Sequence, residues 1–107
     1  IDVWHGRGDV FPREWLVRFL TRSDAPANTT WALGWDTPTP GASSAGQYFS
    51  PTSVGHLGFT GTSLWIDLER EAAVVMLTNR VHLVAKRSKF ELRAIVHDLV
   101  MESFLAE

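Results

Sequence analysis

Histidine side chains are the first candidates for chemistry, because an imidazole can bind a metal or move a proton. The chain has four of them: His5, His56, His82 and His97. None lies three or four residues from another, and cysteine is absent. A metal would therefore need ligands from distant segments, and the sequence predicts no metal site.

Serine is the second candidate, as a nucleophile. Ser63 lies within Gly61-Thr-Ser-Leu-Trp65, but the Gly-x-Ser-x-Gly turn that exposes a nucleophilic serine is missing, and no base neighbours it in the sequence. No serine has a lysine three residues later, so a Ser-x-x-Lys arrangement is also absent. We therefore expect Ser63 to be a strand residue satisfied by hydrogen bonds.

Glycines recur at positions 55, 58 and 61 in Gly55-His-Leu-Gly-Phe-Thr-Gly61. Such spacing within a strand predicts that another backbone or a ligand comes close. The sequence ahead of this strand predicts irregular residues 1–9, a helix that follows Pro12 and ends near Ser23, and a short strand over residues 31–35. Residues 36–54 have loop composition at a length that is often functional.

The second half is more regular. Residues 62–67 predict a strand, residues 68–71 a charged turn, and the apolar run over residues 72–78 a strand covered on both faces. Together they predict an antiparallel hairpin with the later strand central. Ser88 and Glu91 form a candidate capping box for a C-terminal helix. The stripe expected to face the sheet comprises Leu92, Ile95, Val96, Leu99, Ser103 and Phe104.

Composition limits the classes of function. A chain of 107 residues with a formal charge of −2 predicts at most one domain and neither nucleic acid nor an acidic membrane surface as partner. The sequence has no run of eighteen apolar residues, so it predicts no transmembrane helix. No charged-then-apolar leader opens the chain. Because the chain begins at Ile1 rather than Met, we expect it to be a piece of a longer protein.

One string is specific enough to indicate a family. Gly-His-Leu-Gly-Phe-Thr-Gly-Thr-Ser-Leu-Trp-Ile-Asp, a charged turn and then Val-Val-Met-Leu-Thr-Asn-Arg run from Gly55 to Arg80. This string resembles the C-terminal part of the serine β-lactamase and penicillin-binding-protein superfamily, and more narrowly its class C and esterase-like branch. The resemblance is close over residues 55–82 and loose over about residues 10–105.

The resemblance implies an α/β (α+β) fold of the β-lactamase or transpeptidase type, an antiparallel sheet flanked by helices. Residues 1–107 would form the C-terminal portion of a single such domain. It also implies a hydrolase whose Ser-x-x-Lys serine forms an acyl-enzyme with an ester, amide or β-lactam, with no cofactor. That motif belongs upstream of Ile1 in the family's order, so this chain alone is expected to be inactive.

The resemblance also implies site residues. His56, Leu57 and Gly58 take the place of the family's Lys-Thr-Gly, and the Phe59 N–H would be an oxyanion-hole donor. His56 would offer a hydrogen bond or partial positive charge to the catalytic hydroxyls, or instead be a strand histidine satisfied by neighbours. Gly58 would let the substrate approach. Leu57 and Thr60 would contact the substrate, and Leu57 lacks the usual hydroxyl, which favours an esterase-like or unassigned activity over recognition of a β-lactam or peptidoglycan peptide.

Two further expectations stay open. Arg87 stands where an arginine can meet a substrate carboxylate, although exposure on the surface is the more common state of arginine. The apolar run over residues 72–78 needs cover, so we expect the missing N-terminal portion, a second copy, or an exposed apolar surface. The alternative function is a non-catalytic penicillin-binding-like module for recognition or assembly.

Overall fold

The computed structural model describes residues 1–79 and 92–106, which contain two helices and one three-stranded antiparallel sheet. The elements in chain order are α1 (Arg13–Leu20), β1 (Val54–Leu57), β2 (Ser63–Asp67), β3 (Ala72–Met76) and α2 (Leu92–Leu105). The predicted hairpin is confirmed by β2 and β3, and the irregular lead-in is confirmed over residues 1–9. The proposed capping box of Ser88 and Glu91, and Arg87, lie outside the described residues.

The sheet has the order β1-β2-β3. His56 pairs with Leu64 across β1 and β2, and Trp65 pairs with Val74 across β2 and β3. The prediction that the later strand of the hairpin is central is therefore wrong within the described residues. The glycine-punctuated segment occupies the far side of β2 and makes β2 the middle strand.

One face of the sheet packs against α1. Pro12, with φ near −60°, precedes the helix, as expected for a residue whose missing N–H costs nothing there. The helix ends at Leu20 rather than near Ser23. Leu20, Val54 and Leu68 form the buried cluster between this helix and the sheet. The predicted helix is confirmed, and of its apolar residues Leu20 is buried and Leu16 half-buried, while Trp15 and Phe19 are about half exposed.

The opposite face packs against α2. Trp65 and Met101 are buried with Ala45 and Phe49 in a second cluster. The residues of α2 that are buried are His97 and Met101.

The predicted apolar stripe of α2 is wrong, because most of its members point away from the sheet. The exposed ones are Leu92, Ile95, Leu99, Ser103 and Phe104, while Val96 is half-buried. The helix instead turns toward the sheet a polar side chain, His97, that finds hydrogen-bond partners there. Apolar periodicity cannot anticipate a contact of that kind.

β3 is not covered on both faces as its apolar run predicts. Its residues are alternately half-buried and exposed, and Val75 is 60% and Leu77 81% exposed. β3 lies at the edge of the sheet that the described residues form, so its outer side has no strand from them. An exposed apolar surface, one of the three expected outcomes, is present here.

The segment between α1 and β1 contains no helix or full strand in the described chain. The strand predicted over residues 31–35 is wrong. Gly34 has φ of +77° and the Ala32 N–H donates to the Trp35 carbonyl at 2.7 Å, so the chain reverses there. Only isolated bridges remain, from Asp36 to Trp31 and to Gly55.

Candidate active site

The segment after β1 is a β-turn. Gly58 donates its N–H to the Thr62 carbonyl at 2.8 Å, and Gly61 donates to the Gly58 carbonyl at 3.1 Å. Gly61 has φ of +93°, whereas neither Phe59 nor Thr60 has a positive φ. This is the pattern of a type I turn with glycine at its fourth position. We refer to residues 58–62 as the Gly58 turn.

The outer edge of β1 is only partly covered. Gly55 exchanges two hydrogen bonds with Asp36, of 2.8 and 2.9 Å. Since alternate residues of a strand present their N–H and C=O groups to the same edge, Leu57 and Phe59 continue that edge beyond the covered position. No acceptor within residues 1–79 and 92–106 receives the Phe59 N–H, and its side chain is 85% exposed. Within the described residues the edge therefore ends in an amide with no hydrogen-bond acceptor.

The predicted close approach at the glycines comes from β2 and its flanking residue. A Cβ at Gly55 would overlap the Trp65 ring, and a Cβ at Gly58 would overlap the Thr62 hydroxyl. These contacts account for both glycines without a ligand. The expectation that Gly58 admits a substrate stays a prediction.

His56 is exposed on β1. Its Nδ1 lies 2.8 Å from the Leu57 carbonyl, which can only accept, so Nδ1 carries the proton and the Nε2 of the neutral ring is an acceptor. The Trp31 ring stands edge-on to the imidazole, with centroids 5.7 Å apart. Neighbours thus hold the ring in place while it stays accessible.

The other predicted substrate contacts lie close to His56. Leu57 and Thr60 are both half-buried. The Thr60 carbonyl accepts a 2.8 Å hydrogen bond from the Thr78 hydroxyl, which follows β3. The structure therefore gathers His56, Leu57 and Thr60 with Phe59 at one end of the sheet.

Arg93 in the first turn of α2 is a site residue that sequence reasoning missed. Its Nη2 donates to the carbonyls of Gly58 at 2.8 Å and Thr62 at 3.1 Å, and its Nε donates to the Gly61 carbonyl at 3.1 Å. A cation is disfavoured at a helix N-terminus. That position is the one signal in the sequence that could have indicated a specific partner for this side chain.

Ser63 and His97 form a buried polar pair under α2. The Ser63 hydroxyl lies 3.0 Å from His97 Nε2, and His97 Nδ1 lies 2.9 Å from the Ser44 carbonyl. Because the carbonyl accepts, Nδ1 carries the proton and Ser63 donates to Nε2. Burial lowers the pKa of His97 below 6.5 and nearby Arg93 adds to this effect, which outweighs the contribution of Ser44.

This pair cannot reach a substrate, because Ser63 is 4% and His97 0% exposed. A serine and a histidine in hydrogen-bond contact would otherwise suggest a nucleophile and its base. The prediction that Ser63 is a strand serine satisfied by hydrogen bonds is confirmed.

Asp67 is a fully buried carboxylate at the end of β2. It accepts hydrogen bonds from the Ser50 N–H and hydroxyl, from the Glu69 and Arg70 N–H groups, and from the Arg70 guanidinium. Burial alone would raise the pKa of Asp67, but the donations from Ser50 and Arg70 outweigh burial and lower it. This ionised side chain joins the hairpin turn to the loop before β1.

Two cavities lined by described residues lie away from the Gly58 turn. One of about 440 Å³ lies between α1 and the sheet, with Trp15, Trp35 and Ile66 in its lining. Another of about 640 Å³ is lined by residues of the 38–51 loop and by Asp98. Neither of these two cavities is lined by residues 56–60.

The part of the chain that the structure describes holds no group of three or more histidine, aspartate or glutamate side chains placed to bind a metal. Within the same residues, no helix is long and apolar enough to cross a membrane.

Comparison with known proteins gives a consistent result. The family model described as Beta-lactamase matches residues 13–98. A protein of Escherichia coli O157:H7 named "Putative D-alanyl-D-alanine carboxypeptidase" is 40% identical over 84 residues, which are 72% of this chain and 18% of that protein. A protein of the same name from Salmonella typhi is 32% identical over 103 residues, 90% of this chain and 22% of the relative.

The chain thus spans about a fifth of the length of these curated relatives. No solved structure matches it significantly. The family match covers α1, all three strands and the first half of α2, and it includes the glycine-punctuated string on which the resemblance rests. The chain therefore belongs to the serine β-lactamase and penicillin-binding-protein-like family.

Proposed function

We propose that this chain forms one wall of a serine acyl-hydrolase site and that the Phe59 N–H is an oxyanion-hole donor in it. The serine and lysine would come from polypeptide outside these 107 residues, because the chain has no Ser-x-x-Lys. The observation that carries the proposal is the open Phe59 amide at the end of the β1 edge. A family member needs such a donor where negative charge develops.

The proposed chemistry is acyl transfer. A serine hydroxyl adds to the carbonyl carbon of an ester, amide or β-lactam, and the carbonyl oxygen becomes negatively charged in the tetrahedral intermediate. An N–H held about 2.7–3.1 Å from that oxygen stabilises the charge, and one such donor is worth roughly 3–4 kcal/mol. The leaving group departs, an acyl-enzyme forms, and water hydrolyses it.

The remaining site residues have proposed roles beside Phe59. His56 would offer a hydrogen bond or a partial positive charge to the catalytic hydroxyls, while Trp31 and the Leu57 carbonyl fix the ring. Leu57 and Thr60 would border the substrate. For a substrate that carries a carboxylate, Arg87 is the proposed partner of that group.

The substrate class follows from chemistry and from the relatives. Esters, amides and β-lactams all develop the same oxyanion. The relatives' printed name adds a peptide that ends in D-alanyl-D-alanine to the candidates. Leu57 offers no hydroxyl to a substrate carboxylate, so we favour neutral esters within this set.

The test removes the proposed donor without removing the turn. Phe59 is the first central residue of a type I turn, a position that favours proline, and proline has no N–H. In the full-length gene product, Phe59→Pro should lower kcat for p-nitrophenyl acetate by about 10²–10³-fold. Phe59→Ala keeps the N–H and loses only an exposed ring, so it should stay within a few-fold of the original.

Covalent labelling distinguishes the hydrolase from the alternative. A fluorescent penicillin or a fluorophosphonate should label the full-length protein at a Ser-x-x-Lys serine. A gene product with no such serine, no labelling and no ester turnover would contradict the hydrolase proposal. That outcome would favour the non-catalytic recognition or assembly module, for which the absence of Ser-x-x-Lys from these residues is the supporting observation.

A further inference from the structure

We propose that Arg93 is a positioning residue that holds the Gly58–Phe59 peptide and strengthens its N–H as an oxyanion donor. This inference rests on the proposed function. The guanidinium contacts the carbonyl oxygen of the same peptide unit whose N–H belongs to Phe59. No contact between Arg93 and a substrate is needed.

The geometry of the Gly58–Phe59 peptide determines on which side of it the Arg93 guanidinium lies. In a trans peptide the C=O and N–H groups point in opposite directions from one planar unit. A guanidinium that donates to the Gly58 oxygen at 2.8 Å therefore lies on the opposite side of the peptide from the Phe59 N–H. Arg93 fixes the plane of that peptide and leaves the N–H side open.

The charge of Arg93 also polarises the Gly58–Phe59 amide. A hydrogen bond from a charged donor to a carbonyl draws electron density from the whole amide, so the N–H of that amide becomes a better donor. Cooperative strengthening is estimated at roughly 10–30% per bond. The effect is concentrated on Phe59, because Gly58 contributes the carbonyl and Phe59 the nitrogen of one peptide.

Other carbonyls of the Gly58 turn also accept side-chain hydrogen bonds. Arg93 also binds the carbonyls of Gly61 and Thr62, and the Thr78 hydroxyl binds the carbonyl of Thr60. Four carbonyls of the turn are thus held from the body of the protein. Thr78 donates to a different peptide, Thr60–Gly61. Thr78→Val is therefore a control that loosens the turn without changing the polarisation of the Phe59 N–H.

Arg93 could only stabilise the turn, as a clamp, or also act on the Phe59 N–H, as a positioning residue. The two roles predict different changes of kcat relative to melting temperature. If Arg93 only stabilises the turn, then Arg93→Met and Thr78→Val should lower the melting temperature and change kcat in proportion to that loss. If Arg93 acts on the Phe59 N–H, then kcat should fall with Arg93→Met well beyond any effect of Thr78→Val. KM should change little, because the oxyanion forms only in the transition state.

The experiment uses the full-length protein with Arg93→Met, Arg93→Lys and Thr78→Val. We expect kcat for p-nitrophenyl acetate to fall about 10–100-fold with Arg93→Met, because loss of polarisation accounts for roughly 2–8-fold and loss of the fixed peptide plane for the rest. Arg93→Lys should recover part of it, since an ammonium keeps the charge but lacks the planar fork that reaches several carbonyls. Thr78→Val should stay within a few-fold.

A spectroscopic readout tests the inference without turnover. In protein labelled with ¹⁵N-phenylalanine, the Phe59 resonance is assigned by its disappearance in Phe59→Ala. Arg93→Met should move the Phe59 amide nitrogen upfield, Arg93→Lys by less, and Thr78→Val hardly at all. Should Arg93→Met fail to fold, Arg93→Lys carries the same comparison.

The outcomes separate this inference from the proposed function. If the protein does not turn over esters but the Phe59 resonance responds as expected, the hydrolase proposal fails while the effect of Arg93 on the peptide stands. If turnover is present and the Phe59 resonance and kcat respond equally to Arg93→Met and Thr78→Val, Arg93 is a clamp and the inference is overturned.

Discussion

Beneath α2 the sheet carries buried polar side chains beside the apolar Trp65, whereas beneath α1 its buried side chains are apolar. On the α2 face, Ser63 and Asp67 of β2 are buried and each is hydrogen-bonded to groups outside the sheet. On the α1 face, Leu20, Val54 and Leu68 meet through apolar contact, with a cavity of about 440 Å³ beside them.

Cavities border both helices, and the difference bears on function because hydrogen bonds fix distance and angle, while apolar contact alone tolerates shifts of a helix. The Gly58 turn is tied to the α2 side through Arg93. The Gly58 turn, which needs a defined geometry to orient the Phe59 N–H, is therefore connected to the face of the sheet that has buried hydrogen bonds. The α1 face contributes mainly the free energy of burial.

The largest effect should follow from removing the buried carboxylate on the α2 side. Asp67→Ala leaves the Ser50 and Arg70 N–H groups without their acceptor, and we expect a loss of about 3–5 kcal/mol in the free energy of unfolding. Urea denaturation measures it. Glu69→Ala is the matched control, because it keeps the Glu69 N–H bond to Asp67 and removes an exposed side chain that, among the described residues, bonds the Thr52 hydroxyl alone, so it should cost less than about 1 kcal/mol. Equal losses would remove the distinction between the two faces.

On the α1 side, a truncation should cost less. Leu68 is 2% exposed, and Leu68→Ala should lower the free energy of unfolding by about 2–3 kcal/mol, the low end for such changes. The adjacent cavity lets neighbouring side chains move into the vacated space. Urea denaturation is again the measurement. Leu68→Ala and Asp67→Ala should also differ in their effect on the Gly58 turn, since only Asp67 lies on the face that holds this turn. A loss above 5 kcal/mol for Leu68→Ala would show that the α1 face is as tightly specified as the other.

The same contrast explains what the sequence could predict. The helix over residues 13–20 follows from local apolar spacing, and the hairpin follows from two strand patterns around a charged turn. The wrong stripe on α2 arises because His97 is buried by virtue of Ser63 and Ser44, which are 34 and 53 residues away. Local periodicity contains no information about such partners.

The candidate site shows the same division. One contiguous string contains His56, Leu57, Phe59 and Thr60, so a family resemblance could predict all of them together as site residues. Arg93 reaches the same turn from 31–35 residues along the chain, through carbonyl groups that carry no side-chain signature. These contacts depend on how α2 packs beside the turn, which the local sequence does not encode.

The smallest effect concerns the dependence of stability on pH. Burial lowers the pKa of His97 from 6.5, so below that pH the unfolded chain binds a proton that the folded chain refuses, and stability falls as pH decreases. We expect the slope between pH 7 and pH 5 to be shallower in His97→Gln, by at most about 1.4 kcal/mol per pH unit. Asp67 does not interfere, because its lowered pKa means that its contribution is lost only near pH 3.8 and below. Urea midpoints measured at half-unit steps provide the comparison. Above pH 7.5 both proteins should show the same slope, since His97 is neutral in both states there, and identical slopes below pH 6.5 would refute the assignment of a neutral buried imidazole.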